Sequence, residues 1–442
     1  MQRVLPRLQH VYRPFTKPTD TTKPFTRIPS YRRNPLYNPS FDKMGGSSVA
    51  NDVTLYSSGD AAFREMWQAI GKAKKRILME SYIIEPDTVG KATMQHLIDA
   101  RKRGCEVYLL YDTIGSKHLR REHINMLVKE GIHVEDFNPM SKWPFRIHNH
   151  RGMYRDHRKL LVIDDHTGFC GGMNIGSEYA GYKVGGTKFY RDTHMKITGP
   201  AVYNLQQVFA LSMIDTCRTP PSLHLRKGHT DLVTPLVIGE EVNPLKPTRQ
   251  TVRYFHAGKF VQILASNPSR GIYNIQSSII QVIEKSSKHL YITTPYFVPP
   301  PDLIQALINA SNRGTDVRIL TSRLSEVFGI KTASQYAYNQ LLNNKVRVYE
   351  YFVGNIHAKT LTADGHYSLI GSFNLDPVSF YHNLELGVVT FDEDMARQLE
   401  NDFIKDLEGS REITLKEFKR RRTWLRSLWH WFHYKLMTKV LF

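Results

Sequence analysis

HRKLLVIDD (His157–Asp165) and HAKTLTADG (His357–Gly365) carry one polar skeleton twice, 200 residues apart. Each has a histidine, a lysine two residues on and an aspartate seven residues on. In the first copy the apolar run Leu160–Ile163 favours a strand. Positions i and i+2 of a strand face the same way, so His157 and Lys159 project together, as do His357 and Lys359. Asp164 and Asp364 fall at an odd offset beside turn residues (DDHTG, ADGH). That placement suits fastening the turn better than touching a substrate. A second strand follows each turn, GFCGGMN and YSLIGSFN. Gly171 and Gly371 both lie 14 residues after their histidine, and Asn174 and Asn374 both lie 17 after. Small residues there would let backbone approach a ligand closely.

The repetition extends upstream. The stretch AKKRILMESYIIEPDTVGKATMQHLIDARKRGCEVYLLYD begins at Ala73, and SSKHLYITTPYFVPPPDLIQALINASNRGTDVRILTS begins at Ser286. Each reads as an apolar strand, a turn rich in Pro or acid, an amphipathic helix closing on Arg-Gly, and a second apolar strand. A glycine just past a helix end suits a left-handed cap. Strand–helix–strand with short links implies a parallel pair joined by a right-handed crossover. The expected organisation is an α/β chain with a first half over 46–217 and a second over 259–410. Residues 218–258, rich in Pro and polar residues, read as a surface linker.

Of the 442 residues, 41% are hydrophobic, enough to bury a sizeable core. Cys105, Cys170 and Cys217 show no paired spacing, which argues against a disulfide scaffold or a structural zinc site. The net charge of +19 sits at the ends: residues 1–45 and 411–442 each carry nine Lys/Arg against two Asp/Glu. A nucleic-acid enzyme more often spreads basic charge over the body that grips phosphates, so the nearly balanced middle argues against a nucleic-acid partner.

The duplicated set has a chemistry of its own. With two histidines, one imidazole can attack as a nucleophile while the other protonates a leaving group. Lys159, Lys359, Asn174 and Asn374 supply positive charge and donors for phosphoryl oxygens with no metal or cofactor. Acyl transfer needs fewer cations, so the set points to phosphodiester exchange through a phosphohistidine. A nucleophilic imidazole also needs an acceptor at its other nitrogen. Asp192 in YRDTH and Glu385 in NLELG lie downstream of their histidines in comparable positions and are the candidate orienting acids.

These residues resemble the phospholipase D superfamily, whose signature is H-x-K-x(4)-D followed by G-[GS]-x-N, present twice. YRDHRKLLVIDDHTGFCGGMNIGSEY, YRDTHMKITGPAVYNLQQVF, HAKTLTADGHYSLIGSFNLDPVSFYHNLE and MESYIIEPD are further similar to cardiolipin synthases of the bacterial type. The likeness runs over about residues 53–430, apart from the linker. It implies two similar α/β halves packed about a pseudo-twofold axis, each giving half of one active site. It also places Asp164 and Asp364 in the catalytic set, makes Ser372 a phosphate-supporting hydroxyl absent at Gly172, and leans to His157 as the nucleophile. The implied reaction moves a phosphatidyl group from phosphatidylglycerol, or another phosphatidyl donor, to a second phosphatidylglycerol. A phospholipase using water as acceptor needs the same residues. A nuclease and a non-catalytic lipid-binding protein are the more distant alternatives.

The two ends fit a lipid setting. Residues 1–45 are Arg-rich and hold seven prolines, with no acid before Asp20. They read as a disordered leader resembling a mitochondrial presequence, or else as a plain basic arm. A helix over the last 20 residues would gather Leu425, Leu428, Trp429, Phe432, Leu436 and Val440 on one face, flanked by Trp424 and Trp431. Preceded by four cations, it reads as an anchor for an anionic membrane surface, with Trp424, Leu428, Trp431 and Phe432 inserting; packing on its own domain is the competing reading. The expected location is peripheral on a membrane, the mitochondrial inner membrane or, alternatively, a bacterial cytoplasmic membrane.

Overall fold

A computed structural model describes residues 31, 34–37, 40–41, 44–139, 154–216, 258–323, 329–421 and 423–440. The first half runs β1 (Gly46–Tyr56), α1 (Gly59–Lys72), β2 (Arg76–Ser81), α2 (Thr88–Lys102), β3 (Glu106–Asp112), α3 (Arg121–Lys129), β4 (His133–Phe137), β5 (Arg155–Asp156), β6 (Lys159–Ile163), β7 (Thr167–Gly171), β8 (Tyr190–Arg191), β9 (His194–Thr198) and α4 (Ala201–Thr216). The second runs β10 (Lys259–Asn267), β11 (Ile272–Tyr273), α5 (Asn274–Lys285), β12 (His289–Thr294), α6 (Pro301–Asn312), β13 (Asp316–Ser322), α7 (Ile330–Asn343), β14 (Arg347–Tyr351), β15 (Asn355–Ile356), β16 (Thr360–Ala363), β17 (Tyr367–Gly371), α8 (Pro377–Tyr381), β18 (Asn383–Thr390), α9 (Glu393–Glu408), β19 (Ser410–Glu412), α10 (Leu415–Arg421) and α11 (Trp424–Lys435).

The two sheets repeat one plan. The first has the order β4-β3-β2-β6-β7-β9-β1, parallel from β4 to β2 and antiparallel beyond. The second has the order β14-β13-β12-β16-β17-β18-β10 in the same senses, with β19 added outside β14. The crossover helices end as their Arg-Gly pairs require: Gly104 and Gly314 take φ of 98° and 99°, a region that costs glycine nothing. The N-terminal part of β1 pairs antiparallel with β10 and joins the two sheets. Apolar side chains of both halves then share a core, among them Leu160, Val162 and Phe209 of the first and Ile263, Leu386 and Val388 of the second.

Two short strands cross between the halves. β5, just before His157, pairs parallel with β18 of the second half. β15, just before His357, pairs parallel with β8 of the first. The backbone bonds continue to the histidines: His157 N–H donates to Leu384 O at 3.0 Å, and His357 N–H donates to Arg191 O at 2.7 Å.

Two expectations about boundaries change. Residues 1–45 are not a disordered leader throughout: Leu36, Phe41 and Met44 are buried in the core of the second half, where Tyr31 stacks on Phe260. The leader reading proper falls on residues 1–30, outside the described residues, and so does the linker reading for residues 218–258 apart from Gly258. The tail does not begin at 411 either. β19 extends the second sheet, and Ile413, Leu415 and Phe418 pack on its core.

Candidate active site

The crossing strands decide which acid meets which histidine. His157 Nδ1 lies 3.0 and 3.1 Å from the two carboxylate oxygens of Glu385 in β18. His357 Nδ1 lies 2.7 Å from Asp192 Oδ2, in the segment between β8 and β9. Each acid follows the histidine of its own half in sequence, yet each holds the histidine of the other half. With Nδ1–H donated to a carboxylate, Nε2 is left as the nitrogen facing the site.

The lysines stand on the same strand face as the sequence requires. Lys159 Nζ donates to His157 O at 2.6 Å and lies 5.2 Å from the centre of the Tyr82 ring. Lys359 Nζ donates to His357 O. All four side chains are buried. Burial lowers His157 to about 4 and His357 to about 3, with both lysines pushing the same way. Burial likewise lowers Lys159 to about 8 and Lys359 to about 7. Burial alone would raise Glu385 and Asp192, but their histidines and the nearby lysines outweigh it and hold both low. The resting site therefore has neutral imidazoles beside ionised carboxylates, with Lys159 charged below about 8 and Lys359 below about 7. The lysine of each half acts on the histidine of the other, so the two sets form one electrostatic unit.

The remaining expected residues divide. Asn174 Oδ1 accepts from Ile83 N at 3.2 Å, and Asn374 is buried with no partner for its amide oxygen among the described residues. Asp164 and Asp364, expected in the catalytic set, lie apart from the two histidines. Each occupies a positive-φ turn at the far end of its strand, about 20 Å from its histidine by strand rise. There Asp164 accepts from the N–H groups of Lys74, Lys75 and Arg76 at 2.7–3.0 Å. Asp364 accepts from those of Ser287, Lys288 and His289 at 2.8–3.0 Å. They pin the entry of β2 and β12, as their odd offset suggests.

Ser372, expected to support a phosphate, is bound here to the orienting acid. Its hydroxyl, fully buried, donates to Glu385 and accepts from Leu386 N at 3.0 Å. Ser379 Oγ at 2.7 Å and Asn383 Nδ2 at 3.3 Å complete the grip on Glu385. Gly172 lacks the hydroxyl because nothing larger fits: a Cβ there would meet Asp192 Oδ1 at 2.1 Å. Gly171 and Gly371 likewise make room for backbone rather than ligand. A Cβ would lie 2.6 Å from Thr193 O at the first and 2.2 Å from Leu386 O at the second, on the segments that carry the two acids.

Other side chains close round the site with slight signal in the sequence. Tyr82 meets the His157 ring edge-on with centroids 4.8 Å apart, while Tyr179 and Tyr190 each lie 5.2 Å from the His357 ring. Tyr82 stands in MESYIIEPD and Tyr190 beside RDTH, which hints at them only through the neighbouring motif residues. Arg158, between His157 and Lys159, points the other way and is 1% exposed. Its guanidinium donates to Ser212 Oγ at 2.7 Å, Ser266 O at 3.0 Å and Glu385 O at 3.3 Å. Beneath it lie Glu80 and Asp156. Burial raises both, and the nearby charge of Glu80 pushes Asp156 further, well above the usual carboxylate range. The second half has Ala358, Thr293 and Ile356 at the matching positions, so this charged layer underlies His157 only.

The tail residues lie elsewhere. Trp424, Leu428, Trp431 and Phe432 are exposed on α11, while its Tyr434 is buried against the second half. The packing reading thus holds for one face of the helix, and the face expected to insert into a membrane is open. Among the described residues no three His, Cys, Asp or Glu side chains gather as a metal site, and no helix is long and apolar enough to cross a membrane.

The family described as "Cardiolipin synthase, PLD-like domain" matches residues 66–183 and 279–407. The chain is 32% identical over 400 residues to "Cardiolipin synthase 1" of Bacillus anthracis, covering 89% of this chain and 74% of that protein. It is 33% identical over 376 residues to "Cardiolipin synthase" of Clostridium perfringens strain SM101, covering 84% and 73%. Among solved structures, phosphatidylserine synthase of Haemophilus influenzae Rd KW20 superposes with a TM-score of 0.60 over 87% of this chain and 92% of that one. At 14% identity that likeness shows the fold.

Proposed function

Because the chain belongs to the cardiolipin synthase family of phospholipase D-like proteins, we propose that it transfers a phosphatidyl group between two phosphatidylglycerol molecules, yielding cardiolipin and glycerol. It is a phosphatidyltransferase acting on phospholipids, and it works at a membrane. The observation that carries the reading is the crossed pairing, His157 with Glu385 and His357 with Asp192, which needs both halves in place.

His157 Nε2 attacks phosphorus of the first phosphatidylglycerol. A P–N bond forms as the P–O bond to the glycerol headgroup breaks. His357 gives its proton to the departing glycerol oxygen. That proton comes from solvent: the phosphodiester's negative charge raises the proton affinity of His357, which takes up a proton at Nε2 as substrate binds, while His157 stays neutral for attack. Lys159 and Lys359 offset the charge that gathers on the phosphoryl oxygens, and the buried setting strengthens that effect. A hydroxyl of the second phosphatidylglycerol then loses its proton to His357 and attacks phosphorus. The P–N bond breaks and cardiolipin leaves.

The relatives named above are bacterial. A mitochondrial address has behind it only the arginine-rich N-terminal residues, which lie outside the described residues. The reaction is tested by giving purified protein phosphatidylglycerol vesicles and identifying products by mass spectrometry. Cardiolipin with an equal yield of glycerol is expected. Phosphatidic acid as the sole lipid product would make the protein a hydrolase.

A further inference from the structure

α11 carries an unusual division of labour. One side is docked: Tyr434 Oη donates to Pro299 O at 2.9 Å, and its ring lies 4.4 Å from that of Tyr336 on α7. His433 and Met437 close over Gly329, where an added Cβ would come within 3.0 Å of each. The other side is bare. Trp424, Leu425, Leu428, Trp429, Trp431 and Phe432 are 44–74% exposed within nine residues. Six large apolar side chains so close together far exceed the scattered singles of an ordinary surface.

The place where the helix docks links this patch to the chemistry. Pro299 lies just beyond the C-terminal end of β12, and Gly329 lies in the connection that leaves the C-terminal end of β13. Lys359 hangs from that same edge, because β16 enters antiparallel to β12 with Thr360 opposite Thr293. Ser322, the last residue of β13, donates to Ile356 O at 2.8 Å, one residue before His357. Tyr381 of α8, in the segment between Asn374 and Glu385, acts electrostatically on the Tyr434 phenol. The bare face thus stands at the edge of the second sheet from which the half-site projects.

The charge around it selects what can cover it. From Phe418 to Phe442 there is no acidic residue and there are seven Lys/Arg. Lys419 and Arg420, at the end of α10 just before α11, and Arg426 on α11 itself are exposed. A second copy meeting this face about a twofold axis would set like charge against like. An anionic lipid surface takes both parts at once, with tryptophans at the headgroup level and cations over the phosphates. We propose that the bare face of α11 is a docking surface for an anionic phospholipid bilayer, which seats the second half-site against the membrane that holds its substrate. The proposal deepens the phosphatidyl-transfer reading and rests on it for its biological sense, but binding is measured without turnover.

The test is co-sedimentation with vesicles of phosphatidylglycerol and phosphatidylcholine in equal parts, against vesicles of phosphatidylcholine alone. The expected result is binding to the first that weakens at least ten-fold in the triple variant Trp424→Ser, Leu428→Ser, Trp431→Ser. These side chains face solvent, so the melting temperature should stay unchanged. Turnover of a short-chain, monomeric phosphatidylglycerol should also persist, while turnover on vesicles falls. A His157→Ala variant should bind vesicles like the parent, so failure of the transferase reading would leave binding intact and visible. Undiminished vesicle binding by the triple variant overturns the proposal. So does an unchanged vesicle affinity accompanied by conversion of a dimer to a monomer, which would assign the face to a second copy of the chain.

Discussion

Nδ1 of His157 lies 3.0 Å from a carboxylate oxygen of Glu385, 228 residues further along the chain and in the other half. The mirrored pair, His357 and Asp192, is separated by 165 residues. Each half therefore holds an imidazole that it cannot orient alone.

Glu385→Gln tests that dependence. The substitution keeps the size of the side chain but removes the charge that fixes the imidazole's proton on Nδ1. It should lower kcat by about two to four powers of ten with little change in KM. Rapid-quench and steady-state rates on a soluble short-chain phosphatidylglycerol check it. Asp192→Asn should behave alike, since it does the same to His357.

The pH dependence of kcat/KM follows from the shifted groups of the free enzyme. His157 must be neutral to attack, so activity should be lost as pH falls toward about 4. Lys359 and Lys159 must be charged, so activity should decline as pH rises through about 7 to 8. Lys359→Arg keeps its charge across this range and should move the alkaline limb upward if the variant turns over. A profile whose acid limb lies near the ordinary histidine value of about 6.5 would contradict the neutral resting site.

Arg158 carries a stability prediction. Arg158→Ala leaves the buried carboxyl groups of Glu80 and Asp156 without their guanidinium and should destabilise the fold by about 3–5 kcal/mol. The second half has alanine at this position without harm because Thr293 and Ile356 replace the two acids there. Adding Glu80→Thr and Asp156→Ile to Arg158→Ala should therefore restore most of the lost denaturant midpoint. Chemical denaturation of the single and triple variants decides it.

Chelation offers a simpler check. Lys159 and Lys359 supply the positive charge that a metal ion would otherwise bring, so turnover in excess chelator should match the untreated rate. Loss of turnover restored by a divalent ion, with vesicle integrity monitored, would contradict this role for the lysines.

Much of this was legible in the sequence because it is local. The His-x-Lys spacing on a strand, the crossover helices and the glycines at 104 and 314 all follow from periods of two and 3.6 and from backbone sterics. The crossing of the acids was not legible. Sequence separation places Asp192 nearer His157 and Glu385 nearer His357, and only the pairing of β5 with β18 and β15 with β8 reverses this. The partner of Ser372 is hidden for a related reason: a hydroxyl in a signature suggests a ligand, and only the fold shows that its neighbour in space is Glu385. At the N-terminus, the prolines and cations of residues 31–45 mask the few apolar anchors, Leu36 and Phe41, that bind the segment to the core. Composition averages over a window, whereas burial acts on single side chains.

The central claim is one transferase site assembled from two halves, with one nucleophile per chain. The direct measurement is to react the protein with labelled phosphatidylglycerol, quench in alkali to preserve the P–N bond, and map the label by mass spectrometry. The account predicts at most one phosphatidyl group per chain, on His157, absent in His157→Ala and able to form cardiolipin when chased with unlabelled phosphatidylglycerol. Label on both His157 and His357 of the same chain would contradict it, because each half would then act as a site of its own.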